Sequence, residues 1–152
     1  MLGGLLFRLP AIGDGEIRIS NIETRNPKQI RMTKNQNPKQ YDLEDRTLAF
    51  AKRVRALVKK IPKTLANIED GKQLIRASGS VGANYIEANE ALSKKDFVMR
   101  IKICRKEVKE SRYWLQLIET NGGNEQEIER QDLIKESTEL MNIFGSILQK
   151  SK

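Results

Sequence analysis

Arg76, Ser80, Asn84 and Glu87 are spaced four, four and three residues apart, so on a helix they share one face. An acid beside an amide is the closest this chain comes to a catalytic pair, with Glu87 as a general base next to Asn84. A base needs a reacting partner, and no second acid, nucleophile or set of metal ligands accompanies it. The chain has no histidine, which removes Ser-His-Asp and Cys-His chemistry and histidine-based metal sites. The four residues are therefore read as a structural network. In that reading Asn84 and Glu87 satisfy buried donors across helices or across a subunit interface. No enzymatic activity, metal or cofactor is expected.

The other chemistry on offer is cationic. Eight basic residues and only three acidic ones lie between Lys94 and Arg112. Arg100, Lys102, Arg105, Lys106, Lys109 and Arg112 are the candidate phosphate contacts, and positions 102, 105, 106, 109 and 112 fall on one side of a helix. The competing reading is a solvated face whose salt bridges, such as Lys106 with Glu110, contribute little. Tyr113 and Trp114 end the basic run. Aromatics beside cations can stack on unpaired bases, although Trp114 is expected to pack in the bundle or at a subunit seam. Gly122-Gly123 is a turn rather than a phosphate loop, because no Lys-Ser/Thr follows it. Cys104 is the single cysteine, so it forms no internal disulfide, which fits a reducing cytoplasm. Its place on an apolar stripe makes it a buried structural thiol.

Four amphipathic helices must carry these residues. The first is predicted from Tyr41, with Asp42 as N-cap, a stripe of Phe50 or Ala51, Val54, Leu57 or Val58, and Ile61, and a stop at Pro62. Asn67, Asp70 and Gly71 read as a connection. The second helix is predicted over about Lys72 to Ala91, with Leu74, Ala77 or Ser78, Val81 and Tyr85 on one face. Its small residues, Ser78, Gly79, Gly82 and Ala83, cost helix propensity, which close approach by a neighbouring helix would offset. Ser93 caps the third helix, with Asp96 at the capping-box position. Phe97, Ile101, Cys104, Val108, Ser111, Leu115 and Ile118 then form a heptad seam. Asn121-Gly122-Gly123 is a stop. The fourth helix starts near Glu125, with Ile134, Ser137, Met141, Phe144 and Leu148 as its seam, flanked by Leu133, Leu140 and Ile147. Short loops between such helices predict an all-α, antiparallel up-down-up-down four-helix bundle over residues 41–152.

Residues 1–40 differ in character. They are polar and lack helical periodicity, and Arg25-Asn26-Pro27-Lys28-Gln29 nearly repeats as Gln36-Asn37-Pro38-Lys39-Gln40. A disordered extension is expected, with at most one marginal strand over Glu16–Ser20. An upstream mis-start before Met32 is its expected origin, and a flexible basic arm contacting RNA is the alternative. The arm holds seven basic and three acidic residues, so half of the net charge of +8 depends on it. A basic balance favours anionic partners such as nucleic acid or acidic protein. No apolar run reaches the length of a membrane span, and the N-terminus lacks the pattern of a signal peptide.

The run Ile75-Arg76-Ala77-Ser78-Gly79-Ser80-Val81-Gly82-Ala83-Asn84-Tyr85-Ile86-Glu87-Ala88 resembles the signature of the four-helix bundle protein family, with Arg76, Ser80, Asn84 and Glu87 at its matching positions. Lys94-Lys95-Asp96-Phe97 is similar to that family's start of the third helix. After the signature the chain continues Ala88-Asn89-Glu90-Ala91, where the commoner subgroup has Glu-Gly and an aromatic. The family includes bacterial intervening-sequence proteins encoded within large-subunit ribosomal RNA genes and accessory proteins of diversity-generating retroelements. The resemblance covers about Tyr41 to Lys152. It implies an antiparallel bundle, assembly as a cyclic homopentamer and no catalysis. For the retroelement branch it implies binding to RNA and to a reverse transcriptase, and structured RNA, bound chiefly through phosphates and by shape, is the partner expected of the basic helix faces. The expected function is a non-enzymatic, cytoplasmic, RNA-associated scaffold. The alternative is a protein-interaction adaptor that docks a partner such as a reverse transcriptase without contacting RNA itself.

Overall fold

A computed structural model describes the backbone of residues 38–152 and the side chains from Leu43 onward. The expectations of a short strand and a start at Met32 concern residues outside that range, as does the disordered extension over 1–40 except at residues 38–40, which are helical. The described chain forms four helices: α1 Pro38–Lys60, α2 Leu65–Asn89, α3 Lys94–Leu117 and α4 Asn124–Lys150. The compact bundle unit spans Glu44–Lys152.

Two predicted starts are corrected. α1 begins at Pro38, so Asp42 lies inside the helix instead of capping it. Proline suits a first helical position because its missing N–H would have had no partner there. α2 begins at Leu65, so Asn67, Asp70 and Gly71 are helical rather than a connection. The signal for this start is Thr64, whose hydroxyl oxygen accepts from the Asn67 backbone N–H at 3.1 Å. Ser93 caps α3 as expected, accepting from the Asp96 N–H at 3.1 Å. α3 stops at Leu117, and the link to α4 turns through Asn121 at φ 63° and Gly122 at φ 71°, the left-handed region that favours these two residues. Arg130 secures this link by donating to the Leu115 carbonyl at 2.9 Å. Hydrogen bonds from Arg130, Gln131 and Thr120 hold the Glu127 carboxylate down at about 2.

Side-chain pairings between neighbouring helices fit the expected antiparallel order. Asn89 donates to Glu44, and Gly71 sits against Val58, across α1 and α2. Arg100 reaches Asn84 and Arg76 reaches Glu110 across α2 and α3. Arg105 lies over Gly145 across α3 and α4. Arg46 and Arg53 bind Glu136 and Glu129 across α1 and α4, which closes the bundle.

The core consists of the residues that the periodicity selects. Phe50, Val54 and Leu57 come from α1 and Ile61 from just past its end, Leu74, Ala77, Val81 and Tyr85 from α2, and Ile101, Val108 and Leu115 from α3. Each large apolar side chain buried in this way contributes roughly 1.5–3 kcal/mol. In α4 the predicted seam is rotated. Leu133, Ser137, Leu140 and Phe144 are buried, whereas Ile134, Met141 and Leu148 are half-buried. The core serines remain satisfied by bonding back along their own helices, Ser111 to the Glu107 carbonyl at 2.8 Å and Ser137 to the Ile134 carbonyl at 2.7 Å.

Cys104 is fully buried and its thiol points to the Val81 carbonyl at 3.5 Å. Burial pushes the thiol up to about 12. The native protein is therefore expected to resist a thiol-alkylating reagent at neutral pH and to react only after denaturation. Mass spectrometry of native and unfolded samples checks this, and native labelling at the rate of a free thiol would contradict it.

Candidate nucleic-acid interface

The signature face of α2 divides into parts. Asn84 binds across to α3, with its Oδ1 accepting from Arg100 at 2.9 Å, while its Nδ2 donates to the Ser80 carbonyl at 2.9 Å. Arg76 is exposed and donates to Glu110 at 3.1 Å. Ser80 is half-buried, and Glu87 is exposed. The α2–α3 seam thus unites Arg76 and Asn84 with Arg100 and Glu110. Glu110 accepts from Arg76 and from the Trp114 indole at 3.3 Å, so the anticipated Lys106–Glu110 pairing is replaced. Glu107 joins this seam without having been expected there. It is 8% exposed, and its Oε1 has no hydrogen-bond partner among the described residues. The signal is present in the sequence, because position 107 falls between Arg100 and Glu110 on the α2-facing side of α3.

The six candidate phosphate contacts occupy two settings. Lys102, Arg105, Lys106 and Lys109 are exposed, whereas Arg100 and Arg112 are half-buried. Arg100 is committed to Asn84. Arg112 has a buried Nε with no hydrogen-bond partner among the described residues.

Charge on α4 decides the character of the adjoining groove. Arg46 grips Glu136 through both nitrogens at 2.7 and 2.8 Å and also reaches Glu139 at 2.6 Å. Arg53 grips Glu129 at 2.9 and 3.0 Å. These paired bonds, with Asp132 nearby for Arg53, raise both guanidinium pKa values. Glu125 lines a recess with Ala56 and Lys60 of α1. The carboxylates of α4 are therefore turned toward α1 or held at the α3–α4 turn. On its other side α4 presents Asn142, Gly145, Ser146 and Gln149. With Arg105 and Lys150 they line a groove of about 470 Å³ that no carboxylate enters among the described residues. Gly145 leaves the groove floor without a side chain, and the Arg105 Nε lies 3.6 Å from where a Cβ would stand.

Tyr113 is 55% exposed, one turn beyond Lys109. Trp114 holds it edge-on, with ring centroids 5.1 Å apart at 76°. Trp114 itself is half-buried. The roles expected of the two aromatics are thus separated by geometry, one ring facing solvent and the other packed.

Residues 39–146 match the family described as 23S rRNA-intervening sequence protein. The chain belongs to that family. The intervening-sequence family member is 32% identical to a protein from Bacteroides thetaiotaomicron VPI-5482, whose crystal structure is described as that of a protein with unknown function from the S23 ribosomal protein family. The similarity covers 73% of this chain and 98% of that one, with a TM-score of 0.59. No curated protein matches the chain. Among the described residues, no helix of this intervening-sequence family member is long and apolar enough to cross a membrane.

Proposed function

We propose that the protein is a non-catalytic, RNA-associated scaffold that works as a homo-oligomer in a reducing cytoplasm. The observation that carries this reading is the sorting of charge on α4. Its carboxylates face the α1 arginines or the turn, which leaves Arg105 and Lys150 as the charged groups of a groove without acids, with Lys102 and Lys109 exposed on the same helix as Arg105. A solvated salt-bridged surface would intersperse both signs. A one-sign channel instead favours a polyanion, and contact with phosphates supplies affinity largely independent of sequence.

Self-association is supported by a different face. Leu48 is 53% and Ile86 is 52% exposed. Along α1 and α2, Val58, Pro62, Ile68 and Ile75 line an apolar groove of about 210 Å³. A ring, for which the resemblance supplies the expectation of five subunits, would repeat the basic groove and turn weak contacts into avidity. The same apolar groove supports the second reading, an adaptor that docks a partner protein such as a reverse transcriptase without touching RNA.

The test is RNA retention at low and near-physiological salt, with the assembly mass recorded on the same sample. A scaffold should bind as an oligomer, with affinity falling steeply as salt rises. Changing Lys102, Arg105 and Lys109 together to Glu should weaken binding across unrelated RNAs and flatten the salt slope by about one for each phosphate no longer neutralised. Unchanged affinity in that variant removes these residues from the proposal. An oligomer that retains no RNA at low salt selects the adaptor.

A further inference from the structure

The geometry points to an unpaired segment of RNA as the ligand of the α3 face, with its phosphates along the α3–α4 groove and a base stacked on Tyr113. This rests on the RNA-scaffold reading and specifies its substrate class. Two independent features meet here. The first is the groove without carboxylates, in which Arg105 lies across Gly145 and Asn142, Ser146 and Gln149 offer uncharged hydrogen-bonding groups. The second is an aromatic ring that water reaches but that is not loose. Tyr113 is braced by the edge of Trp114, whose indole donates to Glu110, which in turn accepts from Arg76 on α2. The ring is therefore held in place through a neighbouring helix, although it buries little surface itself.

Position along α3 links the two features. Lys102, Lys106 and Lys109 are exposed on the crest that leads to Tyr113, while Arg105 lines the groove. Arg105 and Tyr113 are separated by about 12 Å of helix axis, with Lys109 midway. A strand whose phosphates follow Arg105 and Lys109 arrives at Tyr113 with its next bases free to turn onto the ring. A duplex cannot use that platform, because its bases are already stacked inside the helix and it offers mainly shape, phosphates and 2′-hydroxyls. Backbone tracking by cations combined with stacking on an aromatic is how single strands are held without sequence reading.

The experiment compares the full chain with its Tyr113→Ala and Tyr113→Phe variants. The probes are an unstructured oligouridylate of about 12 nucleotides and an RNA duplex of the same length. Trp114 is the only tryptophan and touches Tyr113, so its fluorescence reports stacking directly. The expected result is tighter binding of the single strand, with a change in Trp114 emission. Tyr113→Ala should then lose about ten-fold or more in single-strand affinity, keep its duplex affinity and lose the emission change, while Tyr113→Phe keeps all three properties. Equal affinity for the two probes, or a single strand held as tightly by Tyr113→Ala, overturns the inference and leaves an RNA scaffold that reads phosphates alone. Failure to retain either probe at low salt overturns both the inference and the scaffold reading.

Discussion

Asn67→Ala is expected to destabilise the bundle by about 3 kcal/mol, a large share of what a domain of this size has to spare. Asn67 is 3% exposed. Its Nδ2 donates to the Glu119 carbonyl at 2.8 Å and to the Pro62 carbonyl at 3.0 Å, while its Oδ1 accepts from the Glu119 N–H at 2.9 Å. One amide side chain therefore satisfies both backbone groups of Glu119, just past the end of α3, and ties them to the α1–α2 connection. Alanine would leave those groups without their side-chain partner, and each such loss costs about 1–3 kcal/mol where the group is shielded from water. Denaturant titration checks the value, with a lowered midpoint at an unchanged slope. Asn67→Asp is a useful companion. It keeps the acceptor for the Glu119 N–H but sets a carboxylate against two carbonyl oxygens, so it should be no better than alanine. A loss below about 0.5 kcal/mol in the alanine variant would show that the chain ends there are ordered by other contacts.

Gly82→Leu is expected to cost a similar amount for the opposite reason, excess volume rather than missing bonds. A Cβ at position 82 would stand 3.1 Å from the Thr47 Oγ1 and 3.4 Å from its Cβ. Thr47 is 1% exposed, and its hydroxyl is already engaged with the Glu44 carbonyl at 3.0 Å, so it has little room to yield. A leucine must push α1 away from α2, at a cost of about 1–3 kcal/mol or somewhat more. Gly82→Ala separates the two contributions. It gains up to about 1 kcal/mol of helix propensity while tightening the contact with Thr47, so it should sit near neutral. Pairing it with Thr47→Ala should relieve the crowding. A double-mutant cycle by thermal unfolding measures that coupling, and strict additivity would mean that the two helices adjust without strain.

Much of the bundle was legible because its seams are made of ordinary apolar repeats. Ile101, Cys104, Val108 and Leu115 lie where a period of about 3.5 residues puts them, and the small residues of α2 did imply close helix approach, met at Gly82. The misplacements share a cause. Asn67 and Gly71 look like loop residues by propensity, yet tertiary contacts hold them in a helix, one as a clamp and the other against Val58. The rotation of the α4 seam reflects two adjacent apolar columns, and periodicity alone does not say which one the other helices cover. The basic face was legible as a count of charges, but the groove was not. Its character depends on where the α4 carboxylates turn, and that is set by Arg46 and Arg53, whose partners lie far away in sequence. Glu107 was passed over because a glutamate in a charged run reads as solvated, although its place seven residues after Arg100 puts it on the same face of α3.

The seam between α1 and α4 also has a consequence in time. Arg46 and Glu136 are 90 residues apart along the chain, whereas Asn84 and Arg100 are separated by 16. The hairpin of α2 and α3 closes a short loop and is expected to form early. Joining the outermost helices must await the ordering of everything between them. Contacts made that late are largely absent from the rate-limiting assembly, so they govern how fast the bundle opens more than how fast it forms. Because that seam is ionic, salt should shorten the lifetime of the closed bundle while leaving its rate of formation nearly unchanged.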